Sequence, residues 1–185
     1  AASAFLPESD YDIFSALLPE YRMILFNQQN AALPFFRDKK VRQALLAGLN
    51  RERLVEEALA GQAVVANGPI LPGTWAVNDQ LRQVDYDPQR AAGLLQAGRW
   101  TLPENALPGG ENYVRQKNGK PLAFDLLVPN DARSTALGQM AVEDWARLGV
   151  RVTLQAALPA TFQAEYLEPR RFQAIMVHLS LQRTP

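Results

Sequence analysis

Few residues in this chain could do chemistry. There is one histidine, His178, and no cysteine among 185 residues. A single imidazole without thiolates cannot build a metal site from protein ligands alone, so neither a metal nor another cofactor is expected. His178 stands at the end of an apolar run, Phe172 to Leu179, where a strand would meet a cleft and a ligand contact is natural. The alternative is a hydrogen-bonded structural histidine. Carboxylates pair at Glu56-Glu57, Asp85 with Asp87, and Glu143-Asp144. The first and third pairs fall on helix surfaces and are expected to be solvated, while Asp87 precedes a proline and suits a helix cap. No Ser/His/Asp order with a nucleophile elbow and no phosphate-cradling glycine loop is present, so an enzyme is not expected. Trp75 lies in a Gly/Pro-rich stretch, where it could stack on a ligand or pin its own loop to the body. Asn67, just before Gly68-Pro69, is a second candidate contact, with a local side-chain turn as the other reading.

These groups need a scaffold, and the composition supplies one. Hydrophobic residues make up 48%, enough for a sizeable core, and the length suits one domain or one lobe of a larger protein. Lys plus Arg equals Asp plus Glu at 19 each, which gives no net charge to draw nucleic acid or an anionic membrane. The basic cluster Arg37, Lys39, Lys40 and Arg42 lacks interleaved aromatics, so it reads as an exposed helix start, not a nucleic-acid patch. No apolar run approaches a membrane span.

Residues 1–20 have no clear period and read as an extended lead-in. Tyr21 to Gln28 carries Met23-Ile24-Leu25-Phe26, the pattern of a buried strand. Val41, Ala44, Leu45 and Gly48 recur at helical spacing behind a capping Asp38, and Arg51 to Ala60 forms a second helix closed by Gly61. Val64 to Val84 is dense in turn residues and reads as a long surface or cleft-lining loop. Asp87-Pro88 opens another helix, with Ala91, Leu94 and Leu95 inward. Asn118-Gly119 signals a hairpin between Tyr113-Val114 and Leu122-Phe124. Asp131 to Gly149 is the longest helix, with Leu137, Met140, Ala141, Trp145 and Leu148 on one side; Trp100 and Trp145 are assigned to packing. Strands at Val150 to Leu154 and Phe172 to Leu179 flank a short helix from Pro159 to Leu167. That alternation predicts an α/β fold with a partly parallel sheet.

Asn27, Pro34-Phe35, Asp38, Val41-Arg42-Gln43-Ala44-Leu45 and Asn50-Arg51-Glu52 stand in a characteristic order. Gly61-Gln62-Ala63, Asn67-Gly68-Pro69-Ile70, Tyr86-Asp87-Pro88, Ala97-Gly98 and Leu148-Gly149-Val150-Arg151-Val152 continue it. Over residues 21–185 this resembles the family 5 extracellular solute-binding proteins, the peptide- and nickel-binding receptors of bacterial ABC importers.

The resemblance implies one lobe of a two-lobed, type II periplasmic-binding-protein-like fold, a mixed sheet flanked by helices. Residues 21–185 would be the C-terminal lobe. The partners implied are a peptide or other small solute, an N-terminal lobe of the same protein and a membrane permease; nucleic acid is not among them. The implied location is periplasmic or extracellular, with a lipoprotein anchor in the full-length form. A ligand-sensor domain of a transcription regulator with the same fold is the alternative. The family often carries a Trp and an Asp after the last strand that help hold peptides. Leu179 and Gln182 stand near those positions here, and Arg183 could meet an anionic group instead. Gln182 and Arg183 are thus candidate contacts, the other reading being a solvated chain end.

Overall fold

The computed structural model describes residues 16, 18–68, 70, 75–78, 80 and 83–180. Most of the lead-in, Gln182 and Arg183 lie outside these residues. The described part is built around a four-stranded sheet in the order β1-β6-β4-β5, where β1 is Glu20–Phe26, β4 Ala123–Pro129, β5 Arg151–Ala157 and β6 Ala174–Ser180. Strand β4 runs parallel to both neighbours, and β1 pairs antiparallel with β6, so the sheet is mixed as expected. Gln116–Lys117 (β2) and Lys120–Pro121 (β3) form a separate two-stranded ribbon. Its turn is Asn118-Gly119, both at positive φ (53° and 72°), the geometry that Asn-Gly favours. The hairpin is shorter than expected: Val114 and Leu122 are buried outside the ribbon.

One sheet face carries the main core. Phe124, Leu126 and Val128 of β4, Val152 of β5, and Ala174 and Met176 of β6 meet helices α1 (Lys39–Ala47), α3 (Pro88–Ala97) and α4 (Ala132–Arg147). The expected caps are present: Asp38 accepts from the Lys40 amide and Asp87 from Arg90, and Asp131 caps α4 in the same way through Ser134, at 2.8 to 2.9 Å. Helix α4 lies so close to the sheet that a Cβ on Gly138 would stand 2.7 Å from Leu154 Cδ1 and 3.0 Å from Val128 Cγ1. Gly149, at φ +77°, turns the chain from α4 into β5. Among the described residues, the opposite face meets the short helical segment Pro159–Thr161 (α5) and its continuation Phe162–Leu167, through Phe162, Tyr166 and Leu167 against Leu127, Ile175 and Val177.

Several expectations need correcting. Strand β1 is not a buried strand: among the described residues it lies at the sheet edge with one neighbour, and Leu25 is exposed. An apolar run cannot reveal edge position, because that depends on which strand pairs beside it. The helix beginning at Arg51 (α2, Arg51–Arg53) widens into π-type turns at Leu54–Ala58, where Leu54 is the one buried residue. Both Ala60 and Gly61 adopt positive φ at its close, where the Gly61 amide donates to Val55 O at 3.0 Å.

Asp144 overturns its reading as a solvated surface carboxylate. Its side chain is fully buried, whereas that of the neighbouring Glu143 is 45% exposed. The burial is compensated: Asp144 accepts from the Asn50 amide (2.9 Å), Arg53 (3.0 Å) and Arg147 (3.1 Å). Trp100 and Trp145 pack as expected, and Trp145 Nε1 donates to Leu45 O at 2.9 Å. The basic cluster is not a free patch. Arg37, Lys40 and Arg42 donate to the carbonyls of Gln28, Ala97 and Phe36.

Candidate functional site

The chain leaves β4 through α4 over one face to β5, then returns through α5 over the other face to β6 on the far side of β4. Two crossovers in opposite directions over opposite faces are what a common handedness requires. They make β4 the point where the winding reverses, and the crevice outside the carboxyl ends of such strands is where open α/β sheets bind ligands. Because β1 is antiparallel, its first residues join that edge: Glu20 stands opposite Ser180, and Arg22 opposite His178.

A recess of about 570 Å³ lies there, lined chiefly by Arg22, Pro129, Asp131, Arg133, Ser134 and His178. Residues from β1, β6 and the first turn of α4 thus meet at one place. Arg22 shares strand parity with Ile24 and Phe26, which pack in the main core, so it projects from the helix-covered face at its open end. His178 Nε2–H donates to Glu20 Oε2 at 3.0 Å, and both side chains are partly exposed. Burial lowers the pKa of the Arg22 guanidinium and the charge of Arg133 lowers it further, while Asp131 and Glu20 oppose this. The side chain stays protonated throughout the physiological range.

Asp131 fixes the first turn of α4. Burial raises its pKa, but the Ser134 amide and hydroxyl, the Arg22 charge and the Arg133 amide outweigh this, and the net value falls below the ordinary one. A lowered carboxylate pKa stabilises the fold above the unfolded value and loses that stabilisation as pH falls through the folded value. Asp131→Ala is therefore expected to cost about 1 kcal/mol at pH 7 through the lost cap. In urea titrations the gap between variant and parent should narrow below about pH 4, the ordinary carboxylate range. A gap that stays constant down to pH 2.5 would contradict this assignment.

The expected site residues divide. His178 is in the recess, and its ring is engaged by Glu20. Trp75 and Asn67 are not among the residues lining it. Trp75 is 99% exposed, so it does not pin its own loop to the body. The exposed Asn67 reaches Gln83 at 3.5 Å, across the loop. Gln182 and Arg183 lie outside the described residues. Sequence reasoning did not single out Glu20, Arg22, Asp131 or Arg133 as site residues. Arg22 did leave a signal, a lone charge next to an apolar run.

A second recess of about 410 Å³ opens on the other face and includes Asn27, Asp125, Arg170 and Gln173. Its polar groups largely satisfy one another. Asn27 Nδ2 donates to the carbonyls of Arg170 and Phe172 at 3.1 and 3.0 Å, tying the end of β1 to the turn before β6. Gln173 bridges the Asp125 amide and carboxylate. Among the described residues no three His, Cys, Asp or Glu side chains come together as a metal site. No helix among them is long and apolar enough to cross a membrane.

Known proteins are similar to this chain in sequence and architecture. The nickel-binding periplasmic protein of Escherichia coli (strain K12) is 35% identical over 115 residues, 62% of this chain and 21% of that protein. The structure of the Bacillus subtilis oligopeptide-binding protein AppA in complex with a nonapeptide superposes with a TM-score of 0.79 at 26% identity, covering 92% of this chain and 33% of that one. NikA from Brucella suis in complex with Fe(III)-EDTA gives 0.72 at 25% identity, covering 86% of this chain and 30% of that one. The chain therefore spans a fifth to a third of the length of these relatives. The fold is that of a type II periplasmic binding protein. The sequence profile described as bacterial extracellular solute-binding proteins, family 5 Middle, matches residues 3–182, and the chain belongs to that family.

Proposed function

We propose that this chain is the substrate-binding lobe of an ABC importer's solute-binding protein, and that the solute is captured between it and an N-terminal lobe of the same protein. The observation that carries this reading is the charged recess at the carboxyl edge of the sheet, open to solvent and lined from five separate elements, β1, β4, α4, α5 and β6. A site of that kind supplies one wall. Contacts from a facing lobe would complete it, and the free energy gained on both sides would favour the closed form. The solute is a peptide or similarly small polar molecule, in keeping with the nonapeptide, Fe(III)-EDTA and nickel named for the relatives. The full-length protein works on the periplasmic or extracellular side of the membrane, anchored as a lipoprotein, and delivers its cargo to a membrane permease.

Native mass spectrometry of the full-length, two-lobed protein tests this. A retained small solute is expected. Calorimetry with that solute should give an affinity at least about 100-fold weaker, some 2.7 kcal/mol, for the 185-residue chain alone. Equal micromolar binding by the isolated chain would overturn the divided site.

A further inference from the structure

We infer that Arg22 and Arg133 form an oxyanion-receiving pair at the carboxyl-edge recess, which takes a carboxylate or phosphate group of the solute. This rests on the reading of that edge as the solute-facing wall. Both arginines line the recess, one from β1 and one from the first turn of α4. Arg133 is near enough for its charge to act on Arg22, a repulsion that an anion lying between them would relieve.

Asp131 and Glu20 act on Arg22 in the opposite sense, and each of them also serves elsewhere. Asp131 accepts from the Ser134 amide at 2.8 Å and caps α4. Glu20 is held by His178 at 3.0 Å. Among the described residues, the five ion pairs leave both Arg22 and Arg133 without a partner. The acids are thus shared with other groups, and among the described residues neither guanidinium is closed off by an ion pair. Arginine presents its N–H groups in a fork that matches two oxygens of a carboxylate or phosphate, so one anionic group can engage both side chains. Partial burial of Arg22 lowers the competition from water and strengthens that contact. Lysine at either position would keep the charge but lose the fork.

The test is an NMR titration of the ¹⁵N-labelled 185-residue chain, following the arginine Nε–H signals. Succinate, inorganic phosphate and uncharged succinamide are the probes. Succinate or phosphate should move the Arg22 and Arg133 signals saturably, and succinamide should leave them in place. Tighter binding of succinate would assign the pair to carboxylates, and tighter binding of phosphate to phosphoryl groups; both support the pair. Arg133→Gln, on an exposed position, should weaken the response of Arg22 at least about tenfold with the unfolding midpoint unchanged. No movement, an equal response to succinamide, or uniform unsaturated drift that includes the exposed Arg90 and Arg171 would overturn the pair. Those failures leave intact a solute retained by the two-lobed protein, whereas loss of that retention with a positive titration would remove the transport reading and keep the anion site.

Discussion

Asp144→Ala should lower unfolding stability by about 3 kcal/mol, since removing one partner of a buried ion pair strands the other. The carboxylate is fully buried and holds three donors: Arg53, Arg147 and the Asn50 amide. Arg53 is the partner that suffers most. Its side chain is 21% exposed, its Nε is already buried without an acceptor, and its remaining contacts to Glu57 and Glu143 are long at 3.7 Å. Arg147 is 60% exposed and can turn to water, which keeps the expected loss at the lower end of the range. The Asn50 amide would also lose its acceptor where α1 gives way to α2. Asp144→Asn keeps an oxygen for that amide but no charge, and should cost roughly half as much. Urea unfolding with an unchanged m-value is the measurement. A loss under about 1 kcal/mol for the alanine variant would mean that the arginines find other partners.

Trp145→Ala is expected to cost about 3 to 5 kcal/mol, the range for deleting a large aromatic from a packed interior. Its indole is fully buried, with ring centroids 5.6 Å from Phe124 and 6.2 Å from Phe26, so it joins α4 to two strands of the sheet. Nε1–H also donates to Leu45 O, which ties α4 to α1. Trp145→Phe keeps an aromatic ring but leaves that carbonyl without its donor, and should cost about 1 to 2 kcal/mol. Thermal unfolding can rank the variants, at about 2 to 4 °C per kcal/mol for a chain of this size. A drop of less than 4 °C for the alanine variant would show that the neighbouring phenylalanines collapse into the space.

Asp144 and Trp145 are adjacent on one helix, and both reach back to the segment Leu45 to Asn50. Their effects should therefore not add. The double variant is expected to cost less than the two singles summed, because either change already loosens the contact between α4 and the α1–α2 turn. The same helix presents Arg133 at its other end, so this packing also sets where the recess wall stands.

Sequence alone determined what is local. The caps at Asp38 and Asp87 are hydrogen bonds to amides two or three residues on, and a short window of sequence contains both partners. The stripes of α1, α3 and α4 repeat every few residues, and the Asn118-Gly119 turn needs only its own two positive φ angles. The ordered series of family residues identified the class of fold. Tertiary structure decided everything that depends on which strands become neighbours. Asp144 looked like a surface acid because Arg53 and Asn50, which bury it, stand 91 and 94 positions away. The placing of β1 at an edge, antiparallel to β6, put Arg22 opposite His178 across 156 positions of chain (178 − 22) and brought Glu20 to its ring. No period or motif encodes such a meeting. It follows from the order in which the sheet is wound, and that order is fixed by the summed burial of many side chains, not by any one segment.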